Sequence, residues 1–138
     1  MGMAILGTTL SPQIPQIWRP LYRGTSQLAR QEILANQAFD TARIAQQQAL
    51  VGAERSGVFV TTQEATAQAF ADAAYGSGRG LGPAVVRIEV PTSEFEAFLE
   101  RNSIDFETPI ERPLAPGQTE TLLPFESINE FHDMATFH

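Results

Sequence analysis

Three short groups of residues carry side chains suited to phosphate and sugar chemistry. They are Arg23 with Gly24 in LYRG, Thr61-Thr62 in GVFVTT, and Gln118-x-Glu120 in QTETLLP. An Arg at the end of a first strand offers a fixed fork for a phosphate or a ribose. Two hydroxyls closing a second strand hold backbone and carboxylate in place. Residues two apart on a strand point to one face. Gln118 and Glu120 are therefore expected to look into the same pocket. A carboxylate with a neighbouring amide suits a reaction that builds positive charge on a sugar. The carboxylate binds a ribose hydroxyl and stabilises an oxocarbenium-like state, while the amide orients the acceptor.

Composition removes several other chemistries. The chain has 138 residues, the size of one domain, and 43% of them are hydrophobic. No Cys is present, so disulfides, thiolate zinc sites and a cysteine nucleophile are excluded. The two His, His132 and His138, both stand near the end of the sequence and carry no chemistry in this reading. All nine basic residues are Arg, which excludes a Walker A loop, a Schiff base and a lysine base. The net charge of -7 argues against a general nucleic-acid binder. No apolar run approaches the length of a transmembrane helix. Glu94, Glu96, Glu100, Asp105, Glu107 and Glu111 are scattered across helix and loop, as on a solvated face rather than in a metal site. The glycine run at 76–82 fails the dinucleotide pattern. Leu81 and Pro83 stand where that pattern needs small residues, and the run precedes a strand. It reads as a mobile loop with Arg79 at its tip.

The elements that must position these groups follow from pattern. Pro12, Pro15 and Pro20 mark residues 1–19 as an extended N-terminal arm before a single domain at 20–138. Residues 21–25 read as a first strand. Ser26 caps a helix over 26–50, with Leu28, Ile33, Leu34, Ala38, Ala42 and Ala45 at helical steps. Gly52 and Gly57 bracket a turn before the strand 57–62. Thr61 and Glu64 have capping-box spacing, opening a helix with Ala67, Phe70, Ala71 and Ala74 on one face. A strand at 84–90 and a helix at 94–101 follow. A proline-rich loop at 102–117 leads to a last strand at 118–128, with Pro124 as its point of interruption. Helices beside a mixed, split sheet give an α+β fold.

The ordered set resembles the small mono-ADP-ribosyltransferase toxins and effectors of the Arg–Ser–Glu class. Their blocks are an Arg in a first strand, a Ser-Thr-Ser-like strand followed by a helix, and Gln/Glu-x-Glu on a late strand. LYRG, FVTT with its helix, AVVRIEVP and QTETLLP match in order over about residues 20–128. The resemblance implies an ADP-ribosyltransferase-like split sheet flanked by helices, with NAD as substrate and no metal. It implies that Arg23 and Gly24 bind NAD phosphate and nicotinamide ribose. Thr61 and Thr62 take the places of the first Ser and the Thr of the motif. Glu120 drives loss of nicotinamide and Gln118 positions the acceptor. Phe59, Phe70 or Tyr75 stacks on nicotinamide. Glu126 in PFES is the alternative glutamate, and Gln63 departs from the motif's third Ser.

The activity so implied is transfer of ADP-ribose to a macromolecule, with a protein acceptor favoured over nucleic acid by the acidic balance. NAD hydrolysis by the same fold, a nucleotide-directed enzyme such as an RNA 2′-phosphotransferase, and a non-catalytic interaction module are the rivals. The lysine-free composition fits a GC-rich genome, or avoidance of ubiquitin attachment inside a eukaryotic host. A secreted or translocated toxin acting in the cytoplasm of a target cell is the expected setting, without membrane insertion. An interbacterial toxin would need a cognate immunity protein.

Overall fold

Ala84, Val86, Ile88 and Val90 alternate along one strand, and all four are buried. That period of two makes the strand the spine of the molecule. The computed structural model describes residues 16–51 and 57–138. Its elements are β1 (Trp18–Ser26), α1 (Gln27–Asn36), α2 (Thr41–Val51), β2 (Gly57–Val60) and α3 (Glu64–Tyr75), a short 3₁₀ turn (Arg79–Leu81), β3 (Pro83–Pro91) and α4 (Thr92–Arg101). The rest are β4 (Thr108–Pro109), β5 (Thr119–Pro124), a second 3₁₀ turn (Phe125–Ser127), α5 (Ile128–Met134) and β6 (Thr136–Phe137).

The strands form two small sheets, ordered β1-β3-β6 and β2-β5-β4. β1 and β3 pair along their whole length, from Trp18 opposite Pro91 to Ser26 opposite Pro83. One bridge joins the sheets: the Tyr22 N–H donates to Thr61 O at 2.7 Å and the Thr61 N–H to Tyr22 O at 2.9 Å. The architecture is α+β, two small sheets with helices. The expectation of a mixed sheet is corrected, because every pairing among the described strands is antiparallel.

The core is aromatic. Phe95, Phe98 and Leu99 recur at helical steps on α4 and are buried, as are Ile128 and Phe131 on α5 and Phe137 on β6. The Phe39 ring meets that of Phe137 edge-on, with centroids 5.1 Å apart.

Several boundaries differ from the sequence reading. β1 begins at Trp18, inside the expected arm, because Trp18 pairs with Pro91 and the Thr92 N–H donates to Ile17 O at 2.9 Å. Residues 1–15 of that arm, and the turn after Gly52, lie outside the described residues. Ser26 caps α1 as expected, its Oγ accepting from the Ala29 N–H at 3.1 Å. The expected single helix over 26–50, however, is broken. Gln37 adopts the left-handed conformation (φ 51°), and its carboxamide exchanges two 2.9 Å hydrogen bonds with the backbone of Phe137. Asp40 then restarts the chain as α2, its Oδ1 accepting from the Arg43 N–H at 3.1 Å. The strand expected over 118–128 ends at Pro124, and the residues after it turn into α5.

Candidate active site

β1, β2, α3 and β5 converge where the two sheets are bridged. β2 runs antiparallel to β5 with Val60 opposite Thr121. Glu120 therefore lies at the end of β2 where Thr61 crosses to Tyr22 of β1. A cavity of about 190 Å³ opens at this junction. Arg23, Gly24, Phe59, Thr61 and Glu120 line it, together with Phe70 of α3. Six of the residues singled out in sequence thus meet in one small cavity, contributed by three strands, the bridge residue Thr61 and α3.

Arg23 is half-buried on β1. Its Nη1 donates to the Phe59 carbonyl oxygen at 3.1 Å, and its guanidinium carbon lies 5.9 Å from the centroid of the Phe39 ring. Burial pulls its pKa down from the ordinary value, and Tyr75 acts in the opposite direction. A guanidinium stays charged at neutral pH even so. Arg23 also lines a second, larger cavity of about 870 Å³. That volume lies in the range of about 300–1,000 Å³ usual for ligand sites. Tyr75 belongs to this larger cavity rather than to the smaller one. Arg79 lines it too, its guanidinium 5.0 Å from the Tyr75 ring centroid. The glycine run that carries Arg79 is therefore part of a cavity wall. Gly80 in that run has φ 62°, and a Cβ there would stand 2.6 Å from the Ser26 Cβ.

Gln118 and Thr62 take other positions. Gln118 precedes β5 and is buried, and its Oε1 accepts from the N–H groups of Leu114 at 2.7 Å and Ala115 at 3.0 Å. It folds the proline-rich loop back on itself and lines neither of the two cavities. The expectation that it shares a pocket with Glu120 is corrected, because strand alternation starts only at Thr119. The Thr62 hydroxyl donates to the Glu107 carboxylate. The Glu107 N–H in turn donates to Thr121 Oγ1 at 2.8 Å. Thr61 is not the residue that caps α3. Its Oγ1 accepts from the Gln63 N–H at 3.1 Å, and Gln63 takes the N-cap position. Glu126 is exposed on the turn after Pro124 and lines neither cavity.

Sequence reasoning missed Phe39, and it marked Gln63 only as a departure from the motif without reading its role. Phe39 sits in the break between two helices, where the helical periodicity of the sequence runs on without interruption. Gln63 carries no motif signal, because its role depends on which loop folds over it. Among the described residues, no group of three or more His, Asp or Glu stands together as a metal site. Among them, no helix is long and apolar enough to cross a membrane. No protein-family model, curated protein or solved structure matches this chain.

Proposed function

We propose that this protein is an NAD-dependent mono-ADP-ribosyltransferase of the toxin or effector kind. The observation that carries the reading is the meeting of Arg23 and Glu120 on one cavity of about 190 Å³. Arg23 is also the wall shared with the cavity of about 870 Å³. A dinucleotide needs both a roomy polar site and a confined reacting end. The larger cavity, with Arg23 and Arg79, suits the diphosphate part. The smaller one, with Glu120 and the aromatic rings of Phe59 and Phe70, suits the ribose and nicotinamide.

The chemistry asked of these residues is modest. The bond between ribose C1′ and the pyridinium nitrogen breaks, and its electron pair leaves with nicotinamide, which departs neutral. Positive charge develops on the ribose. The Glu120 carboxylate stabilises that charge and holds a ribose hydroxyl. A nucleophile on the acceptor forms the new bond to C1′ and gives its proton to solvent. A protein acceptor, a target-cell cytoplasm as the place of action and a cognate immunity protein in the producing cell belong to the same reading.

One observation favours hydrolysis over transfer. The Gln118 carboxamide oxygen is taken by two backbone donors of its own loop. An amide committed to its loop is poorly placed to orient a macromolecular acceptor, and water then becomes the nucleophile at C1′.

The test is nicotinamide release from NAD by the purified protein, with Glu120→Ala and Glu126→Ala run beside it. Loss of about 100- to 1,000-fold in Glu120→Ala alone is expected, as for removal of one electrostatic stabiliser. Loss in Glu126→Ala alone moves the glutamate. No release and no NAD binding by the wild type overturns the enzyme reading in favour of an interaction module. Release without labelling of any protein from a host-cell or bacterial lysate selects hydrolysis.

A further inference from the structure

We infer that Gln63 is a positioning residue for Glu120 and acts through the backbone of β5. This rests on the functional reading above. Gln63 is the half-buried N-cap residue of α3, and its side chain does not cap the helix. It faces the start of β5 instead. The carboxamide oxygen accepts from the Thr119 N–H at 3.1 Å and from the Thr66 hydroxyl at 2.8 Å. The carboxamide nitrogen donates to the Gly117 carbonyl at 3.2 Å. One side chain thus grips the residues on both sides of Gln118.

The helix end of this grip is rigidly seated. Thr66 and Ala67 are buried at 3% and 1% exposure, and Ala67 packs on Gly24, the neighbour of Arg23. Contacts therefore run from Gly24 through Ala67, Thr66 and Gln63 to Thr119, one residue from Glu120. A second grip acts beyond Glu120, where the Glu107 N–H donates to Thr121 Oγ1. The Thr108 hydroxyl holds the Glu120 carbonyl at 3.0 Å. Glu120 is thus carried on a strand pinned on both sides. Arg23 and Glu120 come from different sheets; beside the Tyr22–Thr61 bridge and the Arg23–Phe59 hydrogen bond, the Gln63 grip adds a third link between them across the start of α3. A displacement of about 1 Å in a reacting group can reduce turnover about 100-fold.

The experiment uses two variants. Gln63→Met keeps the volume and removes both hydrogen-bonding groups. Gln63→Glu keeps the acceptor for Thr119 and Thr66. Amide hydrogen exchange is read at Thr119, with Val86 and Ile88 of β3 as internal controls. Nicotinamide release is read as kcat and KM. In Gln63→Met, exchange at Thr119 should quicken by about tenfold or more while the β3 amides are unchanged. Its kcat should fall about 10- to 100-fold with KM within about twofold. Gln63→Glu should recover protection at Thr119 and most of kcat.

Unchanged protection at Thr119 overturns the inference, and so does an equal loss of protection in every strand. A raised KM at unchanged kcat also overturns it, since Gln63 would then serve binding. If the wild type neither releases nicotinamide nor binds NAD, the functional reading fails and takes the catalytic role of Gln63 with it. The exchange pattern still decides whether Gln63 holds β5.

Discussion

Gly24 on β1 and Ala67 on α3 approach so closely that a Cβ on Gly24 would stand 2.1 Å from the Ala67 carbonyl oxygen. The nearest atoms on the helix side are backbone, which cannot swing aside as a long side chain can. Gly24 therefore lets α3 lie directly on β1. That contact brings the start of the helix, with Thr61, Thr62 and Gln63 just before it, over the strand that carries Arg23. Packing and site geometry are the same feature at this position.

Replacing Gly24 by Ala should accordingly lower stability and misplace the site together. Overpacking a dense core costs about 1–3 kcal/mol, and a clash with backbone belongs at the upper end. The thermal midpoint should fall by roughly 10 °C, as measured by calorimetry. Nicotinamide release should fall well below the level explained by unfolding at the assay temperature. A midpoint within about 2 °C of the wild type would show that α3 can move away from β1 freely.

Arg23 gives a second prediction. Its fork reaches the Phe59 carbonyl, and its guanidinium carbon lies 5.9 Å from the centroid of the Phe39 ring. Lys keeps the charge and loses the planar fork. Arg23→Lys should lower stability by about 1 kcal/mol through the lost hydrogen bond. It should weaken NAD binding by about tenfold or more, measured by titration calorimetry, as expected for loss of a charge-assisted contact. Equal affinity in the two proteins would mean that phosphate recognition lies elsewhere, with Arg79 as the next candidate.

Much of the fold was legible because local pattern and tertiary demand agreed. The alternation in β3, the β-branched run of β2 and the apolar steps of α4 state the same element twice, once by residue type and once by period. Where only one signal spoke, the reading slipped. Helical periodicity carries smoothly through Gln37 and Phe39. The break there comes from Gln37 bonding to the Phe137 backbone, a partner at the far end of the chain. The residues after Pro124 were obscure for a related reason. Phe131 is fully buried, but only because α4, β6 and Phe39 surround it.

The site was legible as a set of residues and illegible as a network. Arg23 and Glu120 lie on strands and Thr61 just past the end of one, positions that a spacing argument can bring together. Gln118 could not be placed by spacing, because the strand's alternation does not reach it and its own loop captures the amide. Gln63 was visible only as a departure from the motif, and its role could not be read. Thr66 is a local partner, but Gly117 and Thr119 are set by where the proline-rich loop delivers β5, and no local pattern encodes that.

The last prediction concerns pH. The Phe39 N–H donates to His132 Nε2 at 3.0 Å, so that nitrogen must be unprotonated in the folded state. Burial lowers the His132 pKa below its ordinary value, and the neighbouring Asp133 acts against that shift. The unfolded chain then binds a proton more readily than the folded one. Stability from this group is complete above the unfolded value of about 6.5 and is lost as pH falls from there through the lower folded value. Phe39 lies under Arg23 and lines the larger cavity, so the loss should be felt at the site. Thermal midpoints of the wild type and His132→Phe should be compared at pH 7.5 and 5.5, above most carboxylate titration. The wild type should lose more on acidification than the variant, which has no imidazole to protonate. Equal losses would assign the acid sensitivity to other groups and leave His132 a packing residue beside Phe39 and Phe137.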